Sequence, residues 1–505
     1  TRWKTMTGFK LKTLLAVSAC ALTVAACGAA EVASPGEGDF GTGTGGGTGG
    51  GTGGGTGTAA VDCPTGFANV GTIASNTLRV CQLPQQILGN LSVPLRAGTI
   101  YSISGRTEVG TDRGIDPAAP TAGSAQGILT VEPGVTIFAS SGGDYLLVNR
   151  GSQIFAEGTA TTPIIFTSRQ NVEGTTTLES QGQWGGIVLA GRAPQANCQL
   201  TAPVTCTGQV EGTSAFFGGN TPTDSSGRLK YVQVKYSGFE ISTGNELQAL
   251  TLAGVGSGTS IEYFQSYNSS DDGIEIFGGM VNLKHIVING ADDDGLDTDT
   301  GWRGGAQFGI VTQRAPNATS RSAGFEFSAA PKTTPLATRY ISMPNIANFT
   351  LVGRNSPTDA HTVAHFDTGT KPKIINSVFT NVTGSASSCL DIHDADTQTS
   401  APTFNSVFMS CASPYRAGGF GSQAIFTAGT NNTEAGTSTL TAPTAGVTLT
   451  NQVLTFINGA NENAVTPTAP TYGFFQTTTY IGAVQNAADT WYQGWTCGLT
   501  AGKTC

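Results

Sequence analysis

The sequence predicts an all-β protein: a right-handed single-stranded parallel β-helix with disulfide-stapled loops and a flexible N-terminal tether. Three observations predict it. From about Gly127 the chain is a series of short β-branched runs punctuated by Gly, Asn and Asp. No stretch carries an amphipathic helix of three turns, which leaves sandwich, barrel, propeller or solenoid. The third is a repeat: IEYFQSYNSSDDGIEIFGG (261–279) aligns with LKHIVINGADDDGLDTDTG (283–301) at a shift of 22 residues. That length is about one turn of a parallel β-helix, in which each rung stacks on the last at strand spacing. A meander or sandwich has no reason for such a register.

The repeat pairs Ile261 with Leu283, Phe264 with Ile286, Asp271 with Asp293, Asp272 with Asp294 and Glu275 with Asp297. Ile261, Ile274, Ile276, Leu283, Ile286 and Leu296 are therefore expected to form apolar stacks inside the coil. Gly and Asn mark the corners, where the backbone needs unusual angles. A looser echo joins INSVFTNV (375–382) to FNSVFMSC (404–411) at a shift of 29, with IANFTLVG (346–353) similar to both. The larger shift implies loops inserted between rungs.

Before the repeats, the chain reads as an address. Lys10 and Lys12 form a short basic region at the head of an apolar run, Leu11 to Ala26, too short to span a bilayer comfortably, which ends in Val-Ala-Ala-Cys27. This order is that of a lipoprotein signal peptide (1–26), with Cys27 lipidated. Gly28 in place of Asp removes the inner-membrane retention cue, so the outer membrane is expected, facing either the periplasm or the cell surface. Residues 41–57 are only Gly and Thr. Such a stretch buries nothing, and the tether 27–60 should average about 30 Å end to end. The remaining boundaries are a cap and entry region at 61–126, the β-helix at 127–411, and a C-terminal extension at 412–505.

Loss of 1–26 removes Arg2, Lys4, Lys10 and Lys12 and no acid, moving the formal charge from -9 to -13. An acidic, lysine-poor surface argues against nucleic acid and anionic lipid headgroups as partners, and for divalent cations or neutral glycans. With Cys20 and Cys27 set aside, eight cysteines fall as local pairs: Cys63/Cys81, Cys198/Cys206, Cys389/Cys411 and Cys497/Cys505. An even count in an exported chain points to disulfides, and no C-x-x-C is present to suggest zinc or redox chemistry.

The strongest chemical signal is an acidic ladder. Asp271, Asp272 and Glu275 stand beside Asp292, Asp293, Asp294, Asp297 and Asp299, and the repeat stacks them at about 4.8 Å. Bare charges at that distance repel by roughly 3–4 kcal/mol at an effective dielectric of about 20. Protons, a cation such as calcium, or Arg303 and Lys284 would have to relieve them. The plain alternative is that Asp-Asp-Gly is corner chemistry, with carboxylates capping backbone N–H groups. His361 and His365, with Asp367, His393 and Asp394, form a weaker metal-ligand constellation, set against an ordinary role as polar side chains. Trp184 and Trp302 are candidates to stack on sugars, and Trp491 and Trp495 to cap the core.

QWGGIVLAGRAP (183–194), the segment 269–304 and TWYQGWTCGL (490–499) together resemble a widespread group of uncharacterised bacterial surface lipoproteins with pectate-lyase-like β-helices. The resemblance covers most of 61–505 and implies fold and envelope location. The group as a whole has no settled biochemical activity; the non-enzymatic expectation for this chain is a rigid body displayed to a glycan, another cell or an outer-membrane receptor protein. The resemblance also raises an enzymatic alternative, a calcium-dependent polysaccharide lyase or glycoside hydrolase, with Asp294, Asp297, Asp299 and Arg303 as its catalytic set. The Gly-His and Arg-x-Lys elements of pectin hydrolases are not visible, and an acidic groove would repel polygalacturonate.

Overall fold

The computed structural model describes residues 58–196, 206–243, 245–315, 322–329, 335–358, 361–443, 448–449, 452–499 and 505. The signal peptide, Cys27, residues 27–57 of the tether and Cys198 lie outside the described residues.

Parallel strands stack into a 15-stranded and an 11-stranded sheet, as the repeat predicts. The larger sheet holds two faces of the coil, because its long strands bend in the middle. Ser260–Tyr267 pairs with Asn282–Asn289 as Glu262 to Lys284 and then Phe264 to Ile286, skipping Tyr263 and His285. Those skipped residues have positive φ, 54° and 58°. The left-handed conformation turns the chain from the first face to the second. Tyr231, Phe308, Asn348, Asn376 and Ser406 repeat the conformation on the other bent rungs. The third face is the 11-stranded sheet, which includes Ile274–Phe277, Leu296–Asp299, Ala323–Phe327, Thr362–Phe366 and Ser388–Ile392.

The 22-residue register holds residue for residue: Ile261 pairs with Leu283 and Ile274 with Leu296. The six predicted apolar positions are buried in one continuous core. The later echo is corrected by one residue. Val378 pairs with Phe408 and Phe379 with Met409, a shift of 30 rather than 29. The reason is the corner, which aligns Asn376 with Ser406. Phe379 and Met409 face the core, while Val378 and Phe408 face outward. A 29-residue shift would have set inward Val407 against outward Val378, since one step reverses every side chain.

The coil also starts earlier than Gly127. Parallel pairing begins at Arg79–Gln82 with Thr99–Ser102, and the antiparallel strand Ala68–Ile73 covers that edge. These early strands are short and separated by irregular chain, so no repeat announces them. At the other end, the helix Ser422–Thr427 closes the core by setting Phe426 against Phe404 and Tyr415. Disulfides join Cys63–Cys81, Cys389–Cys411 and Cys497–Cys505; Cys206 is disulfide-bonded, and the expected role of Cys198 falls outside the described residues.

The tryptophans are placed differently from expectation. Trp184 and Trp302 are core residues whose indole N–H groups reach Lys235 O and Val281 O, so neither presents a face to a sugar. Trp491 and Trp495 do not cap the coil. They lie against the first corner, where Tyr231, Tyr263, His285 and Phe308 stack in succession at 4.3, 4.3 and 5.0 Å. Trp495 meets Tyr231 and Tyr263 edge-on, and Trp491 lies 5.1 Å from His285. The extension is thus a strap over the second face, with its own core of Val287, Ile310, Leu454, Phe456, Tyr492 and Trp495.

Candidate functional site

The acidic residues gather at the corner between the second and third faces and along the outside of the third. At the corner, the plain reading holds for two of them. Asp272 Oδ1 accepts the N–H of Asp294 at 2.8 Å, and Asp294 Oδ1 accepts the N–H of Ala323 on the following rung. The glycine after each pair is required. A Cβ at Gly273 would lie 2.3 Å from Ile288 Cγ2, and one at Gly295 would lie 2.5 Å from Val311 Cγ1. Asp271 accepts from Gln248 Nε2 at 3.0 Å, and the same amide reaches Glu211 at 3.1 Å.

Strand alternation then lines up one outward position of each rung into a column on the third face. Glu275 pairs with Asp297, Asp297 with Glu326, Glu326 with His365, and His365 with Asp391. The flanking Ile274, Ile276, Leu296, Phe325, Phe327, Ala364, Phe366, Leu390 and Ile392 all point into the core. Five consecutive rungs therefore present a column of ionisable groups. Its lower part and the corner form two triads, Asp271/Asp272/Asp293 and Asp272/Glu275/Asp297, each with ligand oxygens within 4.8 Å of one another.

The corner and the lower column are short of counter-charge. Burial, followed by the neighbouring acids, holds Asp272, Glu275, Asp294 and Asp297 well above the usual carboxylate range. The same causes push Asp271 up to about 7 and Asp293 up to about 6, and burial takes Asp299 to about 6. Glu275 Oε2, Asp293 Oδ1 and Asp297 Oδ1 are enclosed without a hydrogen-bond donor among the described residues.

The cations expected to relieve the patch are elsewhere. Arg303 stacks on Tyr340, 3.6 Å from the ring centre, and donates to Ile341 O. Lys284 lies over Phe308 and Phe474. Two residues that sequence reasoning missed take their place at the corner. Fully buried Arg354 donates to Asp292 O and Asp293 O at 3.0 and 3.2 Å, and Arg314 contacts Glu179, Gln181 and, at 3.9 Å, Asp292. Glu326 was also missed. Its signal was present in the alternation FEF, but a 29-residue step from Asp297 hid it from the 22-residue alignment.

Of the weaker constellation, only part converges. His365 Nδ1 lies 3.0 Å and His393 Nδ1 3.3 Å from Asp391 Oδ2. His361 instead faces Ser322, Asp394 caps the helix Ala395–Ser400, and Asp367 accepts from Ser328. Asp391 was not singled out, although it sits in the alternation LDI.

A family model described as a pectate-lyase-like β-helix domain matches residues 118–496. Among curated proteins and solved structures, none matches the chain significantly.

Proposed function

The chain belongs to the pectate-lyase-like β-helix family, and from that premise we propose that it is a cell-envelope protein whose acidic ladder binds calcium. In this reading Cys27 carries the lipid that holds it to the outer membrane. The rigid coil is displayed beyond the Gly/Thr tether to bind a glycan or an outer-membrane receptor protein. One observation carries the calcium assignment: Asp272, Glu275 and Asp297 converge within 4.8 Å, with Glu275 Oε2 and Asp297 Oδ1 enclosed and undonated. Calcium takes several oxygens with loose geometry, which suits an all-carboxylate donor set. Bound there, it would supply positive charge to groups whose ionised form burial and the neighbouring acids otherwise disfavour. Asp271 and Asp293 extend the donor set, with Asp294 and Asp299 beside it.

The enzymatic alternative asks for a base next to Asp294, Asp297 and Asp299. Asp294 is engaged with Ala323 N, and Arg303 is committed to Tyr340 and Ile341. These contacts favour the binding role. The experiment is calorimetric titration of the full chain with calcium, run beside a screen against neutral and acidic polysaccharides. Calcium binding that is weakened by Asp297→Asn, without turnover, is the expected result. Absence of binding overturns the calcium assignment, and calcium-dependent polysaccharide cleavage overturns the non-enzymatic one.

A further inference from the structure

The upper end of the outward column differs chemically from the lower. Below are carboxylates alone; above, two imidazoles share one carboxylate oxygen. His365 Nδ1 and His393 Nδ1 lie 3.0 and 3.3 Å from Asp391 Oδ2. All three residues can offer ligand atoms within 4.8 Å of one another. A tetrahedral zinc ion with bonds of about 2.0–2.1 Å sets its ligands roughly 3.3 Å apart. The two edges that meet at Asp391 Oδ2 are therefore already near the spacing such an ion requires, and the third lies within 4.8 Å.

We propose that His365, Asp391 and His393 form a second cation site, specific for zinc or a similar transition ion that prefers imidazole. Three further features support it. His365 is fully buried, and its Nε2 lies 3.9 Å from Glu326 Oε1, so a carboxylate behind the ring turns Nδ1 toward the centre. Asp391 is also buried, with only 1% of its side chain exposed, while the His393 side chain is 47% exposed. The site is thus anchored inside and open on one side, leaving a position for water. Finally, the donors differ in kind from the ladder: imidazole suits zinc, copper and nickel, whereas oxygen-only sets suit calcium and magnesium.

Arg416 is the built-in competitor. Its Nε lies 3.9 Å from Asp391 Oδ2, so a bound cation must share that carboxylate with a guanidinium. This distinguishes a metal site from a simple ion cluster. Loss of Arg416 should strengthen metal binding, whereas in a cluster held only by charge it should merely weaken the fold.

The test is zinc titration of the full chain in saturating calcium, with cobalt(II) absorption as a second readout. One equivalent of zinc is expected to bind, and cobalt(II) to give the intense visible bands of a four-coordinate ion. His393→Ala, at a solvent-facing position, should weaken zinc at least tenfold while the chain in chelator still unfolds in one cooperative transition. Arg416→Gln should tighten it several-fold. Asp297→Asn should leave zinc untouched, so that failure of the calcium reading and failure of this one remain distinguishable. No zinc binding, or zinc binding indifferent to His393→Ala, overturns the proposal, as does weaker binding in Arg416→Gln.

Discussion

Asp272 Oδ1 accepts the backbone N–H of Asp294, the residue in its own position one rung further on. A single carboxylate thus does two things: it caps the next turn, and it adds charge to a corner that already repels itself. Substitution separates the two. Asp272→Asn keeps the acceptor and removes the charge, so in chelator it should melt at or above the parent chain. Asp272→Ala leaves a buried N–H without a partner and should cost about 1–3 kcal/mol. Thermal unfolding of both, in chelator and in calcium, checks this. If the two variants lose equal stability in chelator, the cap is not the structural contribution.

The corner also sets a pH dependence. Asp271, Asp293 and Asp299 have folded-state pKa values of about 7, 6 and 6, against 3.8 for an ordinary aspartate. The folded state therefore holds these protons more tightly than the unfolded state does. Their contribution is fully present below pH ~4 and is lost as pH rises through 6 to 7. In chelator the melting temperature should fall across that window. Calcium should flatten the fall, adding about 2.7 kcal/mol at a free concentration 100-fold above its Kd. Asp391 has the opposite sign. His365, His393 and Arg416 hold its pKa below the usual value despite burial, so its contribution is lost on acidification. A melting temperature in chelator that rises between pH 4 and 7 would contradict the assignment.

How much of this was legible in the sequence depended on distance along the chain. The pairs Ile261/Leu283 and Glu275/Asp297 could be read directly, because no insertion separates those rungs. Glu326, His365 and Asp391 extend the same column, but steps of 29, 39 and 26 residues conceal them. Loop length sets those steps, and loops tolerate insertion without moving the strands. The register of Val378 with Phe408 was read one residue short for a related reason. Asn376-Ser377 matches Asn405-Ser406 as letters, whereas the fold aligns backbone conformation at the corner. The side of the coil on which Arg303 and Lys284 point was invisible, since a corner glycine or a left-handed residue re-aims all that follows.

Arg354 gives a third prediction. Its guanidinium is buried and donates to the carbonyls of Asp292 and Asp293, so it holds the corner's backbone while offsetting its charge. Arg354→Met keeps much of the volume and removes both contributions. The loss of a buried cation beside uncompensated acids should cost about 3–5 kcal/mol in chelator. Calcium should recover more stability in this variant than in the parent, because the ion then carries a larger share of the charge balance. Equal calcium shifts in the two chains would mean that Arg354 and the cation site act independently.

The strap gives the last. Trp495 lies edge-on to Tyr231 and Tyr263, its carbonyl accepts from Gln233, and the neighbouring Cys497 exchanges hydrogen bonds with Gln265 at 2.8 and 2.9 Å. Those rungs are complete without it, since their strands pair with each other and their inner faces share the main core. The strap's contribution is the cover it gives to Val287 and Ile310, which face outward from the second face. Trp495→Ala should therefore cost about 3–5 kcal/mol, concentrated in strap detachment rather than spread along the coil. Limited proteolysis should cut the variant first within 452–499 and leave a resistant fragment containing the acidic corner. Calcium affinity should be unchanged in the variant. If cleavage begins instead in the rungs around Tyr263, the strap and the coil unfold as one unit, and the extension is part of the fold's cooperative core.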